Sequence, residues 1–196
     1  PSLGKAFVCI DDKNIKSILK KTKNKNFYTY GASKNSNFRI INLVQNSKFS
    51  KFDLSINIPG KKKIIKKIKI PLIGLHNIKN AASAVAVSFS IGISDNLIKK
   101  GLSEYTGVQR RFNYLFEHNK SIFIDDYAHH PTEIRSVLDG VRKVYNKKEI
   151  ICVFQPHRIS RVKNLKLEFS KCFKKADTVL LCPIYKANEN INLGFS

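Results

Sequence analysis

The chain has 196 residues, 42% of them hydrophobic, and a formal net charge of +22. This composition excludes a disordered chain, and the length allows one large domain or two small ones with a real core. No apolar run is long enough to span a bilayer, and the four cysteines, Cys9, Cys152, Cys172 and Cys182, lack the close pairing of a zinc site.

The predicted elements begin with a short apolar strand over residues 6–10, closed by the turn Asp11-Asp12. Ile15, Ile18 and Leu19 then form a helical stripe with lysines on the other face. Strands follow over 27–30, ended by Gly31, and over 38–44. Residues 52–58 alternate apolar and polar, as a half-exposed strand should, and Pro59-Gly60 turns the chain. Residues 64–70 return as an edge strand guarded by lysines. A helix over 77–91 carries Ala81, Ala82, Ala84 and Ala86, which allow close packing. Ser94 can cap the next helix, whose stripe is Leu97, Ile98 and Leu102. Thr106-Gly107-Val108 breaks the pattern, and a domain boundary is expected near residue 110. Beyond it, strands over 121–125, 149–154 and 178–182 alternate with helices over 132–144 and 165–173. Near-continuous apolar strands alternating with helices predict a parallel sheet covered on both faces.

Four stretches carry chemistry. Asp125-Asp126-Tyr127-Ala128-His129-His130-Pro131-Thr132-Glu133 places two carboxylates, a phenol and two imidazoles between a strand end and a helix start. The carboxyl end of a strand in an open α/β sheet is where ligands bind. Turn and cap chemistry accounts for Asp126, Pro131 and Glu133, but not for two adjacent histidines and a tyrosine. Gln155-Pro156-His157-Arg158-Ile159-Ser160-Arg161 follows the next strand on the same sheet edge. If Arg158 and Arg161 share a helix's first turn, their guanidinium groups and the free backbone N–H groups suit a carboxylate or phosphate. Two solvated surface arginines fit the same letters. Gly74-Leu75-His76-Asn77-Ile78-Lys79-Asn80-Ala81 puts two asparagines one helical turn apart. Their amides match the donor and acceptor pattern of adenine, and Asn77 fits equally as an N-cap. Val108-Gln109-Arg110-Arg111-Phe112 offers an arginine at the domain junction, either for a ligand or for a salt bridge.

In this order, the four stretches resemble the Mur ligases. The matching strings are Gly-x-His-Asn-x-x-Asn-Ala at 74–81, Gly-Val-x-Arg-Arg-Phe at 107–112, Asp-Asp-Tyr-Ala-His-His-Pro-Thr-Glu at 125–133 and Gln-Pro-His-Arg-x-Ser-Arg at 155–161. The last two resemble the alanine-adding branch. The resemblance implies an α/β chain: the latter part of a central ATPase domain with a mixed sheet, over 1–110, then an incomplete Rossmann-like parallel-sheet domain, over 111–196. It implies ATP-dependent ligation of L-alanine to UDP-N-acetylmuramic acid through an acyl phosphate, in the cytoplasm, with no membrane or specific nucleic-acid partner. His76, Asn77 and Asn80 would then border the adenine, with Asn80 as the direct contact. Arg111 would meet the ATP, and Asp126 would take the ribose hydroxyls. His129, Arg158 and Arg161 would form the catalytic set that holds the alanine carboxylate and the developing charge, with Tyr127 lining the same pocket.

The chain departs from that family in lacking its Gly-Lys-Thr-Thr phosphate loop and its N-terminal domain. The Mg2+ that accompanies ATP would be held by residues outside these stretches, so no metal ligand is expected here. Residue 162 is Val where the family usually has Thr. The start, Pro1-Ser2-Leu3, has no signal-peptide character, Met is absent, and Ile191-Asn192-Leu193-Gly194-Phe195-Ser196 does not finish a parallel-sheet domain. The expectation is a piece of a longer ligase, inactive alone. The alternative is a non-catalytic basic module for nucleic acid or acidic partners. Lysines spread from Lys20-Lys21 and Lys25 through Lys61-Lys62-Lys63 to Lys174-Lys175 read instead as a compositional bias.

Overall fold

The computed structural model describes residues 4–23, 26–108 and 110–189. The chain ends discussed above, Lys25 and Gln109 lie outside the described residues. Two compact units divide between Gly107 and Val108.

The first unit is built on a five-stranded sheet in the order β1-β2-β3-β4-β5. The strands are β1 (Ala6–Cys9), β2 (Phe27–Gly31), β3 (Phe38–Gln45), β4 (Ser50–Ile58) and β5 (Lys61–Ile70). β1, β2 and β3 run parallel, and β3, β4 and β5 form an antiparallel meander. Helix α1 (Lys13–Lys21) joins β1 to β2 and is capped by Asp12, whose carboxylate accepts from Asn14 N at 2.8 Å and Ile15 N at 3.0 Å. Helix α2 (Leu75–Ser90) lays Ile78, Ala81, Ala82, Val85 and Ala86 on the sheet residues Phe38, Phe52, Leu54, Ile56, Ile65 and Ile68. The alanines let the helix backbone approach closely, and each large apolar side chain buried there contributes about 1.5–3 kcal/mol. Helix α3 (Asp95–Ser103) buries Ile98 in the same core and ties to β5 through Lys63 and Asp95 at 2.7 Å.

The lysine-guarded edge strand is β5. Its buried residues Ile65, Ile68 and Ile70 break the two-residue alternation between 65 and 68. A β-bulge absorbs the extra residue: Leu54 pairs with Ile65 but Phe52 pairs with Ile68. Lys67 sits there at φ 60°. A second bulge lies on the other side of β4, between Ile41 and Val44, with Asn42 at φ 51°. One carboxylate pins both. Asp53 accepts from Asn42 Nδ2 at 2.8 Å and from Lys67 N at 2.7 Å. Without the bulges, a one-residue slip would turn the apolar face outward.

The second unit opens with a hairpin absent from the sequence expectation. Strand β6 (Asn113–His118) pairs antiparallel with β7 (Ser121–Asp125). Asn119 and Lys120, at φ 47° and 65°, make the two-residue turn whose twist suits a hairpin. Helix α4 (Pro131–Val144) follows, then β8 (Ile151–Phe154), α5 (Ile159–Asn164), α6 (Lys166–Cys172) and β9 (Thr178–Leu181). β8 and β9 pair parallel. Among the described residues the unit holds two ladders, the antiparallel β6-β7 hairpin and the expected parallel pairing in β8-β9. Among the described residues, helices cover one face of the β8-β9 ladder. α4 and α6 pack Ile134, Leu138, Phe169 and Cys172 against Ile150 and Phe154, while Ile151 and Val153 stay 57% and 66% exposed. All four cysteines are free, and burial pushes the Cys172 thiol up to about 11.

Candidate functional site

In the first unit, Gly74 adopts φ 96° and precedes α2. A side chain there would meet His76, since a Cβ would lie 2.7 Å from its ring. Asn77 is buried, and its Nδ2 donates to Ile73 O at 2.8 Å. It is therefore neither the cap nor an outward-facing contact: Gly74 holds the cap position, and Asn77 ties the loop to the helix. Asn80, one turn later, is exposed. Lys79 between them reaches Asp11 at 3.0 Å. Asp11 also accepts from Ala32 N and Ser33 N, both at 3.0 Å. Burial raises its carboxyl, but these two amides and Lys79 outweigh that and leave it below the ordinary carboxylate range. The close approach requires glycine at 31, where a Cβ would lie 2.6 Å from Asp11 Oδ1.

In the second unit, the Asp125–Glu133 stretch follows β7 as expected, and most of its groups are tied down. Asp126 accepts from Phe112 N at 2.8 Å and Ala128 N at 2.7 Å. It therefore holds the Arg110–Phe112 segment in place, a role the sequence did not reveal, and one lone pair on each oxygen remains for a ligand. Tyr127 N donates to Arg110 O at 2.6 Å, and the Arg110 guanidinium lies 4.7 Å above the Tyr127 ring. Arg111 is exposed. His130 is the N-cap of α4: its Nδ1 accepts from Thr132 N at 3.3 Å, and Glu133 returns a carboxylate to His130 N at 3.1 Å. Burial raises the Glu133 carboxyl, yet the His129 and His130 amides lower it further, so it lies below its ordinary value. The second histidine is thus helix-start chemistry.

His129 is different. Its Nδ1 lies 2.9 Å from Tyr127 O. A carbonyl only accepts, so Nδ1 carries a proton, and in the neutral form of the ring the lone pair is on Nε2. Its ring stands 5.0 Å from the Tyr127 ring and 5.8 Å from that of His157. His157 comes from the loop after β8, so the structure brings the two predicted loops together on one edge. Arg161 Nη1 contacts His157 Nδ1 at 3.2 Å and His157 O at 3.1 Å. Arginine donates, so His157 Nδ1 holds a lone pair. Burial, then Arg161, His129 and Arg158, push the His157 imidazole below its ordinary value.

Arg158 and Arg161 do not share a helical turn as anticipated. Arg158 precedes α5 with a left-handed backbone at φ 67°, and only Arg161 lies within the helix. Nor is the start of α5 open to a ligand anion. Ser160 N donates to Glu189 at 3.0 Å, and Ser160 Oγ bonds the same carboxylate. Sequence reasoning missed Glu189 and Tyr185, whose ring lies 5.2 Å from His157. No spacing signal links residues 28 and 29 positions apart. Among the described residues, no group of three His, Cys, Asp or Glu is placed to hold a metal. Among them, no helix is long and apolar enough to cross a membrane.

The sequence matches the Mur ligase middle domain over residues 1–88 and the Mur ligase, glutamate ligase domain over residues 110–192. The chain belongs to the Mur ligase family. This Mur ligase chain is 62% identical over its whole length to the UDP-N-acetylmuramate–L-alanine ligase of Pelagibacter ubique, of which it covers 42%. It is 38% identical to the ligase of the same name from Bartonella tribocorum, covering 41% of that protein. The chain thus spans less than half the length of these curated relatives. Among solved structures, the UDP-N-acetylmuramate-alanine ligase MurC of Thermotoga maritima superposes with a TM-score of 0.68 at 30% identity, over 82% of this chain and 35% of that one. MurF from Acinetobacter baumannii gives 0.68 at 20% identity, over 94% of this chain and 43% of its own, a likeness of fold.

Proposed function

We propose that this Mur ligase chain supplies nucleotide-binding and amino-acid-binding residues to a cytoplasmic, ATP-dependent ligase that joins L-alanine to UDP-N-acetylmuramic acid. In that reaction the muramoyl carboxylate takes the terminal phosphoryl group of ATP, releasing ADP. The alanine nitrogen then attacks the acyl carbon, the bond to phosphate breaks, and the amine gives up its proton. The observation that carries the reading is the His129–His157–Arg161 cluster, with Tyr127 beside it, at the ends of β7 and β8. Arg158 and Arg161 pair with the alanine carboxylate, and the Nε2 lone pair of His129 accepts a proton or hydrogen bond from the amine. Tyr127 lines that place. Asp126 uses its remaining lone pairs on the ribose hydroxyls, and Arg111 serves the phosphates. Asn80 contacts the adenine, and His76 and Asn77 shape the turn that presents it. Catalysis here rests on positioning and charge stabilisation rather than on a covalent enzyme intermediate.

The test is a chimaera in which these 196 residues replace the matched stretch of the Pelagibacter ligase. ADP release that requires both L-alanine and UDP-N-acetylmuramic acid supports the reading. A folded chimaera that turns over neither substrate contradicts it. The 196-residue chain alone is expected to release no phosphate from ATP.

A further inference from the structure

The loop carrying Arg158 and Arg161 does not hold its own shape. Arg158 is a non-glycine residue at φ 67°, a conformation that costs roughly 1 kcal/mol or more and persists only when its surroundings impose it. The surroundings are the segment after β9. Arg158 N donates to Tyr185 O and Tyr185 N donates to Pro156 O, both at 2.8 Å, making a parallel bridge between His157 and Tyr185. Ala187 and Asn188 then turn the chain back through left-handed conformations, φ 50° and 63°. That return delivers Glu189 to the first turn of α5, where its two oxygens take the backbone N–H and the hydroxyl of Ser160. The backbone N–H is a donor that a helix start leaves without an internal partner. Arg161 lies one residue further along the same turn, and its Nη1 reaches back to His157 O. Among the described residues, its Nε and Nη2 make no protein hydrogen bond.

We propose that Glu189 is a positioning residue: by gripping Ser160 from the segment after β9, it fixes the turn that aims Arg158 and Arg161 at the amino-acid carboxylate. The role rests on the function proposed above. It separates two carboxylates that the arginine loop would otherwise receive alike. The internal one, from Glu189, occupies the backbone and hydroxyl donors of Ser160. The substrate's is left to the guanidinium groups. Glu189 still feels the charge of Arg158, but both of its oxygens are engaged by Ser160.

The experiment uses the Pelagibacter chimaera with Glu189→Ala and Glu189→Gln. Losing the grip frees both donors of Ser160 in the arginine turn, so Glu189→Ala raises the alanine KM about tenfold and leaves the ATP KM within about twofold. Glutamine keeps one oxygen for the Ser160 amide, so Glu189→Gln raises the alanine KM only about threefold. A purely structural role would move both KM values together, or lower active protein without changing either. If Glu189→Ala does not fold, Glu189→Gln decides alone: a selective rise in alanine KM supports the role, and equal rises or no change overturn it. An unsubstituted chimaera that folds but lacks alanine-dependent turnover overturns the functional reading. An active one with unchanged alanine KM in both variants overturns the Glu189 role only.

Discussion

Replacing Asp126 by asparagine keeps the side chain's shape and turns one oxygen into a donor. Both oxygens now accept from backbone amides, Phe112 N at 2.8 Å and Ala128 N at 2.7 Å. An amide side chain can serve only one of them. The Ala128 bond is local, two residues along, and keeps the remaining oxygen. Phe112 N then faces an NH2 group and loses its acceptor. A part-buried N–H left without a partner costs about 1–3 kcal/mol. At about 2 kcal/mol, the Phe112 amide opens to solvent roughly 30 times more often. Amide hydrogen exchange followed by NMR on the 196-residue chain reads this directly. Exchange at Phe112 should quicken about 30-fold in Asp126→Asn, while Ala128 changes less than about threefold. Equal rates in both proteins at Phe112 would refute the idea that Asp126 anchors the segment bearing Arg111. The measurement also separates this anchoring from any contact with ribose, because no nucleotide is present.

Asp53→Ala should lower the stability of the first unit by about 1–2 kcal/mol, because two bulges lose their shared acceptor; urea denaturation followed by the tyrosine signal checks it. The Asn42 amide first, then the Lys67 backbone N–H, hold the Asp53 carboxyl below its ordinary value. Its folded value is depressed, so its contribution is complete above the unfolded carboxylate pKa of about 3.9 and fades as pH falls through the folded value. The difference between the wild-type chain and Asp53→Ala should shrink in that acid window and stay constant above it. His157 should titrate below its ordinary value in NMR, and Arg161→Gln should raise its midpoint, since Arg161 is one of the charges disfavouring the imidazolium. An unchanged midpoint would remove Arg161 from the account of that imidazole.

Part of the candidate site drew notice because some of its residue types are costly to explain otherwise. Tyr127 and His129 stood out where ordinary turns need neither, Arg158 and Arg161 fitted solvated surface arginines as well, and the apolar strands before them predicted a shared edge. What escaped was whatever depends on distant pairing. His130 and His129 look equivalent in sequence, yet one caps α4 and the other faces His157. Strand β6 escaped because Tyr114, Leu115 and Phe116 lack alternation, and its partner is decided by the Asn119-Lys120 turn. The bulges at Asn42 and Lys67 hid behind broken periodicity. Helices α5 and α6 read as a loop and one helix, because Leu165 at φ −120° breaks the run without glycine or proline. Glu189 carries no local signature at all; its role exists only where the chain returns to Ser160.

We propose a division of labour: Arg161 for the amino acid, Asp126 for the nucleotide. Steady-state kinetics of the Pelagibacter chimaera with Arg161→Ala and Asp126→Ala test it most directly. Arg161→Ala should mainly raise the alanine KM, and Asp126→Ala should mainly raise that for ATP. Equal effects of either substitution on both substrates would contradict it.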